Sequence, residues 1–187
     1  MDRQTILALV DQVAKTPRHP DHRFPPARYY TFLQLLAGAV RPQVSVELGV
    51  CRGGGSLHLA VGYPLGKVIG VDVESLYPEL IACVEELYPN FTFWQMDSIL
   101  AAEHYRSINY GSIGILFIDT VHTSERALAE YAAWKPSLAE HAVVVLDDRL
   151  RVSMREAWET IPGERIRLDN LHDASCATDG GFGVILT

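Results

Sequence analysis

"AVVVLDDRL", residues 142–150, runs four β-favouring residues, Val143 to Leu146, directly into two adjacent carboxylates, Asp147 and Asp148. An unbroken apolar run of this kind is what a strand buried on both faces looks like. Two acids at its tip have two readings. They either cap whatever helix follows, or they form the wall of a site that needs negative charge. The next helical pattern begins only near Met154, so a direct cap fits poorly.

The rest of the chain repeats the same kind of unit. Strands are predicted at Val44–Glu47, Val68–Asp72, Phe91–Gln95, Ile113–Asp119 and Ala142–Asp147. Between them, helical stretches are predicted at Ser56–Val61, Pro78–Leu87, Ser98–Tyr105 and Ser124–Trp134. Strands separated by helices make βαβ units and a parallel sheet covered on both faces. After a short helix at Met154–Thr160, two further strands, Arg165–Leu168 and Phe182–Leu186, have only the loop-like "DNLHDASCATDGG" between them. They should pair antiparallel as a terminal hairpin. Ahead of the first strand, Asp2–Lys15 and Ala27–Ala39 read as helices, joined by a connection with four prolines that breaks regular structure.

Bulk properties bound the function. A chain of 187 residues is one domain by length and can bury a proper core. A formal net charge of -7 argues against nucleic acid or an anionic membrane as the main partner. The three cysteines, Cys51, Cys83 and Cys176, lack metal-ligand spacing, and their odd number fits a reduced, cytoplasmic protein. "ILALV" near the start is too short for a signal or a membrane span.

In an open α/β sheet, ligands bind beyond the carboxyl ends of the strands. The first such tip, "VELGVCRGGGSLHLA", places Gly49, Gly53, Gly54 and Gly55 where backbone can approach a ligand and turn into a helix whose amino end favours an anion. It is neither the G-x-G-x-x-G of a dinucleotide fold nor a Walker loop. The second tip, Asp72 in "VIGVDVE", can accept both hydroxyls of a ribose. At the third, "FWQMDS", Asp97 can accept from an adenine amino group or cap the helix itself, and Ser98 can cap that helix. Three polar tips beside a Gly loop describe an adenosyl-ligand groove.

Taken in order, "VELGVCRGGGS", "VIGVDVE", "MDS", "LFIDTVHT" and "VVVLDDR" resemble a class I S-adenosylmethionine-dependent methyltransferase. The last two motifs are similar to the branch of macrocin O-methyltransferase and cephalosporin hydroxylase-like proteins, and more distantly to catechol O-methyltransferase. The resemblance covers residues 25 to 187. It implies a Rossmann-like three-layer α/β sandwich with a seven-stranded sheet ordered 3-2-1-4-5-7-6, which the terminal hairpin fits. Residues 1–40 would then be amino-terminal helices and a proline-rich flap, and 41–187 the core that holds cofactor and metal. The resemblance also implies that Glu47 and the Gly49–Gly55 loop hold the methionine end of S-adenosylmethionine, Asp72 the ribose and Asp97 the adenine.

The same resemblance bears on the acid pair. Asp119 and Asp147 end the fourth and fifth strands, and adjacent tips lie about 4.8 Å apart. Asp119, Asp147 and Asp148 would crowd together, raising one another's pKa unless a cation neutralises them. Oxygen ligands favour Mg²⁺, and the resembling branch binds a divalent metal on acids at these positions. His122, three residues beyond Asp119, matches a histidine that serves as base in the macrolide-sugar branch, a role that suits a neutral imidazole. Two departures stand out. Thr120 replaces the usual Gly after the metal acid, and Glu140–His141 replace a Gly-Gly turn.

The expected activity is methyl transfer to a hydroxyl of a small molecule, aided by Mg²⁺. A non-catalytic cofactor-binding protein and a nicotinamide-dependent oxidoreductase are the alternatives. The short chain leaves room for a homo-oligomer in which a second subunit completes the pocket. His19, His22, Arg23, Tyr29 and Tyr30 are candidates to cap the substrate, with His172, Asp173 and Cys176 behind them. Trp94, Trp134 and Trp158 read as packing residues.

Overall fold

The computed structural model describes residues 1–15, 27–168, 171 and 180–187. Its centre is a seven-stranded sheet ordered β3-β2-β1-β4-β5-β7-β6. The strands are β1 (Val44–Leu48), β2 (Lys67–Asp72), β3 (Phe91–Gln95), β4 (Ile113–Ile118), β5 (Leu138–Leu146), β6 (Glu164–Arg167) and β7 (Gly183–Leu186). The first five pair in parallel, while β7 runs antiparallel to both β5 and β6. This is the order and the terminal hairpin expected from the sequence.

The opening stretch behaves as a strand buried on both faces. Val143 and Val145 enter one apolar layer, and Val144 and Leu146 enter the other, as the two-residue period of a strand requires. The first layer is closed by α1 (Arg3–Ala14), α2 (Ala27–Val40), α3 (Gly54–Gly62) and α4 (Pro78–Leu87). Phe32, Leu33 and Leu36 of α2 are fully buried there, and Phe117 of β4 meets the Phe182 ring at 5.2 Å. The second layer is closed by α5 (Ser98–Ser107), α6 (Ser124–Trp134) and α7 (Arg155–Thr160), with Tyr105 and Trp134 wholly inside. Asp2 caps α1 by accepting from the Thr5 amide at 2.9 Å.

Two elements differ from the sequence reading, each for a tertiary reason. β5 begins at Leu138, because backbone pairing with β4 carries the strand through the exposed Glu140 and His141 that interrupt the apolar run. The ladder is irregular between Ile113 and Ile115, so these polar residues occupy a shifted register rather than a turn. α3 starts at Gly54, earlier than helix propensity suggests. Tertiary crowding demands glycine there: a Cβ on Gly55 would lie 2.1 Å from a Glu47 carboxylate oxygen.

The Phe117 ring is central to the first layer. Phe117→Ala should cost about 3–5 kcal/mol of stability, read as a lowered urea midpoint at unchanged slope. A midpoint within error of the parent would mean that the layer does not depend on this ring.

Candidate active site

The strand tips of β1, β2, β4 and β5 meet at one edge of the sheet. β1 ends in Gly49, whose φ of +89 is favourable only for glycine. Its amide donates to the Val71 carbonyl at 2.8 Å, and the Asp119 amide donates to the Leu48 carbonyl at 2.8 Å. A Cβ on Gly49 would lie 2.0 Å from the Asp119 carbonyl oxygen, so the first loop and the β4 tip touch through backbone alone. Gly53, with φ of +79, stands at the N-cap of α3.

Asp72 faces this loop from the neighbouring strand. Its Oδ2 accepts from the Val50 and Cys51 amides at 2.9 and 3.1 Å, which leaves Oδ1 without a hydrogen bond among the described residues. Glu47 lies beneath the loop, 2% exposed, and accepts from the Ser56 hydroxyl. Burial pushes its carboxyl up to about 8, and the nearby Asp119 and Asp72 add to the rise.

Of the two readings of Asp97, the structure shows the helix cap, and the cap expected of Ser98 falls to Asp97 as well. Asp97 is the N-cap of α5: its Oδ1 accepts from the Ile99 and Leu100 amides at 2.9 and 3.2 Å. Its Oδ2 accepts from Arg126 at 2.7 Å, and that guanidinium holds the carboxyl below its ordinary range. Ser98 is therefore not the cap. It is 4% exposed, and its hydroxyl donates to Glu130 at 2.5 Å while accepting from Arg126 at 2.6 Å. A side chain so committed is turned into the core between α5 and α6, away from the groove.

The acids of the central strands converge. Leu146 pairs with Ile118, and the Asp147 amide donates to the Ile118 carbonyl at 3.0 Å, which sets Asp119 and Asp147 side by side. His122 stands over them: its Nε2 lies 3.0 Å from Asp119 and 3.8 Å from Asp147. One ligand atom each from Asp119, His122 and Asp147 all fall within 4.8 Å of one another. Asp148 is not the third member of this cluster. With φ of +53 its carboxylate turns inward, 3% exposed, to Nδ1 of His122 at 2.7 Å and to Arg151 at 2.5 Å. Neither acid of the pair caps α7, whose N-cap is Met154 with no side-chain cap bond.

Burial and crowding displace the titrations. Asp119 is raised chiefly by burial, and Asp147 is pushed up to about 9 by burial and then by Asp119. His122 is raised to about 10, first by its bonds to Asp119 and Asp148. At neutral pH it is an imidazolium with both ring nitrogens engaged. In this arrangement Nε2 faces Asp119 and Nδ1 faces Asp148.

Thr120 is accommodated without strain of its own. The positive φ falls instead on His122, at +50, and the Thr120 hydroxyl donates to Glu130 at 2.9 Å. Tyr30 of α2 also reaches the site. Its ring lies against Gly54, and its hydroxyl is made less acidic by burial and then by the charges of Glu47, Asp119 and Asp147. Tyr29 instead stacks on Phe182 at 4.2 Å, inside the core. His19, His22, Arg23, His172, Asp173 and Cys176 lie outside the described residues.

Sequence reasoning missed Arg126, Glu130, Arg151 and Gly180. A Cβ on Gly180 would lie 1.7 Å from an Asp148 oxygen, so the segment just ahead of β7 packs onto Asp148. Glu130 did leave a signal, a carboxylate among the inward-facing positions of α6 with Arg126 four residues before it. A cleft of about 320 Å³ at the opposite edge of the sheet, lined by Pro42, Gln43, Ser112 and His141 among others, shares no residue with this site. Among the described residues no helix is long and apolar enough to cross a membrane.

Residues 46–149, from β1 to just beyond the acid pair, match the sequence model of a methyltransferase domain. That match takes in more than half of the chain. The chain belongs to this methyltransferase-domain family. Solved structures share the fold at low identity. An O-methyltransferase from Bacillus cereus in complex with SAH has a TM-score of 0.70 at 15% identity, covering 100% of this chain and 92% of its own. Cofactor-bound Rv0187 from MTB has a TM-score of 0.70 at 20% identity, covering 99% and 90%. The O-methyltransferase TomG from Streptomyces achromogenes, involved in tomaymycin synthesis and in complex with SAM, has a TM-score of 0.68 at 14% identity, covering 100% and 91%. No curated protein matches the sequence.

The displaced titrations make stability depend on pH. The folded chain keeps protons on Glu47, Asp147 and His122 up to about 8, 9 and 10. The unfolded chain releases them near the ordinary values of 4.5, 3.8 and 6.5. Between these limits the folded state binds more protons, so its stability falls as pH rises. In buffer free of divalent cations, the melting temperature should decrease from about pH 6 to pH 9. A flat or rising profile would show that the cluster is not protonated in the way described.

Proposed function

We propose that this protein transfers a methyl group from S-adenosylmethionine to a hydroxyl oxygen of a small molecule, with a divalent cation, Mg²⁺ foremost, held at the carboxylates of Asp119 and Asp147 beside His122. The observation that carries the reading is the cluster of those three side chains on the two central strand tips, in backbone contact with the glycine loop of β1. The motifs around Asp119 and Asp147 favour the branch that resembles macrocin O-methyltransferase within the wider family.

The residues present fit both groups. Two carboxyls forced to share a site hold protons well above their ordinary range, and a divalent cation relieves that repulsion in their place. Asp148 Oδ2 lies 2.7 Å from Nδ1 of His122, so a buried carboxylate stands behind the imidazole. When bound, such a cation would supply the charge that orients and acidifies an acceptor hydroxyl, and His122, no longer held charged by the acids, would receive its proton. On the cofactor side, the glycines of the loop admit a ligand close to backbone. Asp72 Oδ1 can accept from a ribose, and buried Glu47, which holds its proton up to about 8, would ionise beside an ammonium group. S-adenosylmethionine supplies the electrophilic methyl group. The chain contributes positioning, because nucleophile, methyl carbon and sulfur must lie in line. Asp97 remains on the adenine side of the groove, through the α5 amino terminus that it caps.

Two outcomes test the assignment. Asp72→Ala should weaken S-adenosylhomocysteine binding by about 1.5–3 kcal/mol in calorimetry, and unchanged affinity in a folded variant would move the cofactor elsewhere. Asp147→Asn should hold or raise the metal-free melting temperature, since that group is protonated in the folded state anyway. The same change should abolish the stabilisation that Mg²⁺ gives the parent. Methyl transfer should stop with EDTA and return with Mg²⁺. Turnover that ignores EDTA, together with a melting temperature that ignores Mg²⁺, would make the acid cluster structural.

A further inference from the structure

We infer that Glu130 is a positioning residue that joins the cofactor-side acid Asp97 to the cation-side loop at Thr120, so that filling either subsite strengthens binding at the other. The inference rests on reading the site as a cofactor groove beside a cation site. It adds a role for residues that touch neither ligand.

Glu130 lies on α6 with 0% exposure, among Ala127, Tyr131 and Trp134. A buried, paired carboxylate is weak evidence for stability, because apolar residues of similar volume often serve as well. The directions of its bonds are more informative. Oε1 accepts from the Ser98 hydroxyl at 2.5 Å and from Arg126 Nε at 2.8 Å, while Oε2 accepts from the Thr120 hydroxyl at 2.9 Å. Arg126 carries the network onward, its Nη2 donating to Asp97 at 2.7 Å and to Ser98 at 2.6 Å. One end of this chain is therefore the N-cap of α5, at the tip of β3. The other end is the residue that follows Asp119.

Both ends are consequential. Asp97 sets the first turn of α5, where its carboxylate holds two backbone amides. Thr120 fixes the backbone between Asp119 and His122, two members of the cation cluster. The Asp119 carbonyl is also where a Cβ on Gly49 would collide. Charge-assisted bonds at these distances are directional, so a shift at either turn is felt at the other. A network that served only to hold α5 against α6 would have no need to extend to Thr120, because Ser98, Arg126 and Trp134 already join those helices.

Calorimetric titration of the full chain tests this. S-adenosylhomocysteine is titrated with and without saturating Mg²⁺, and Mg²⁺ with and without saturating S-adenosylhomocysteine. In the parent each ligand should tighten the other by about fivefold or more, and by the same factor in both directions, as linkage requires. Thr120→Val keeps the Arg126–Asp97 pair but cuts the link to the cation loop. It should leave each ligand's separate affinity within about twofold of the parent while the mutual factor falls to about one. Glu130→Gln should lose the factor likewise, and Thr120→Ser, which restores the hydroxyl, should regain it. If Glu130→Gln does not fold, the two Thr120 variants decide. A folded Thr120→Val with the parental factor, or a parent that binds both ligands independently, overturns the inference and leaves the site assignment standing. A parent that binds neither ligand overturns both.

Discussion

Two carboxylates are brought to the tips of adjacent central strands, and the rest of the site is organised around keeping them there. Leu146 pairs with Ile118, so Asp119 and Asp147 emerge side by side with no freedom to diverge. Their repulsion is met from three directions. Protons are retained on the acids themselves, His122 stands as a cation against Asp119, and Asp148 with Arg151 holds His122 in place. Carboxylates crowded in this way are costly unless protons or positive charge offset them.

The same edge shows how backbone and side chain divide the work. Where the β1 loop meets the β4 tip, contact is made by backbone, and the left-handed Gly49 is the residue that permits it. Where the β3 and β4 turns must be related across α5 and α6, side chains do it through Glu130 and Arg126. Positive φ values at Cys51, His122 and Asp148 mark the places at this edge where a residue with a side chain is held in a conformation that it does not prefer; Arg41 and Asn109 share it elsewhere. His122 and Asp148 both stand at the cluster of acids on the β4 and β5 tips.

Much of the fold was legible because burial on both faces leaves an unmistakable run in a parallel strand. Ile113–Ile118 and Val143–Leu146 lie inside such runs, and the strand read at Val44–Glu47 extends one residue further to Leu48. The limits of legibility are equally physical. Glu140 and His141 hid the start of β5, because pairing to β4 is a long-range backbone interaction that apolar patterning does not register. The glycines of α3 hid its first turn, because steric demand from Glu47 overrode their poor helix propensity.

The linear order of residues by itself determined the strand–helix alternation, the terminal hairpin, and the appearance of Gly49, Asp72, Asp119 and Asp147 at strand ends, because periodicity and chain polarity are local properties. What only the tertiary structure decided is the partner of each polar group. Ser98 turns inward rather than capping α5, Asp148 supports His122 rather than joining the cluster, and Glu130 becomes the hub between two loops. These choices depend on side-chain directions and on contacts between residues 10 to 32 positions apart. A buried carboxylate takes the donors that packing places within reach, and sequence spacing does not disclose which those are.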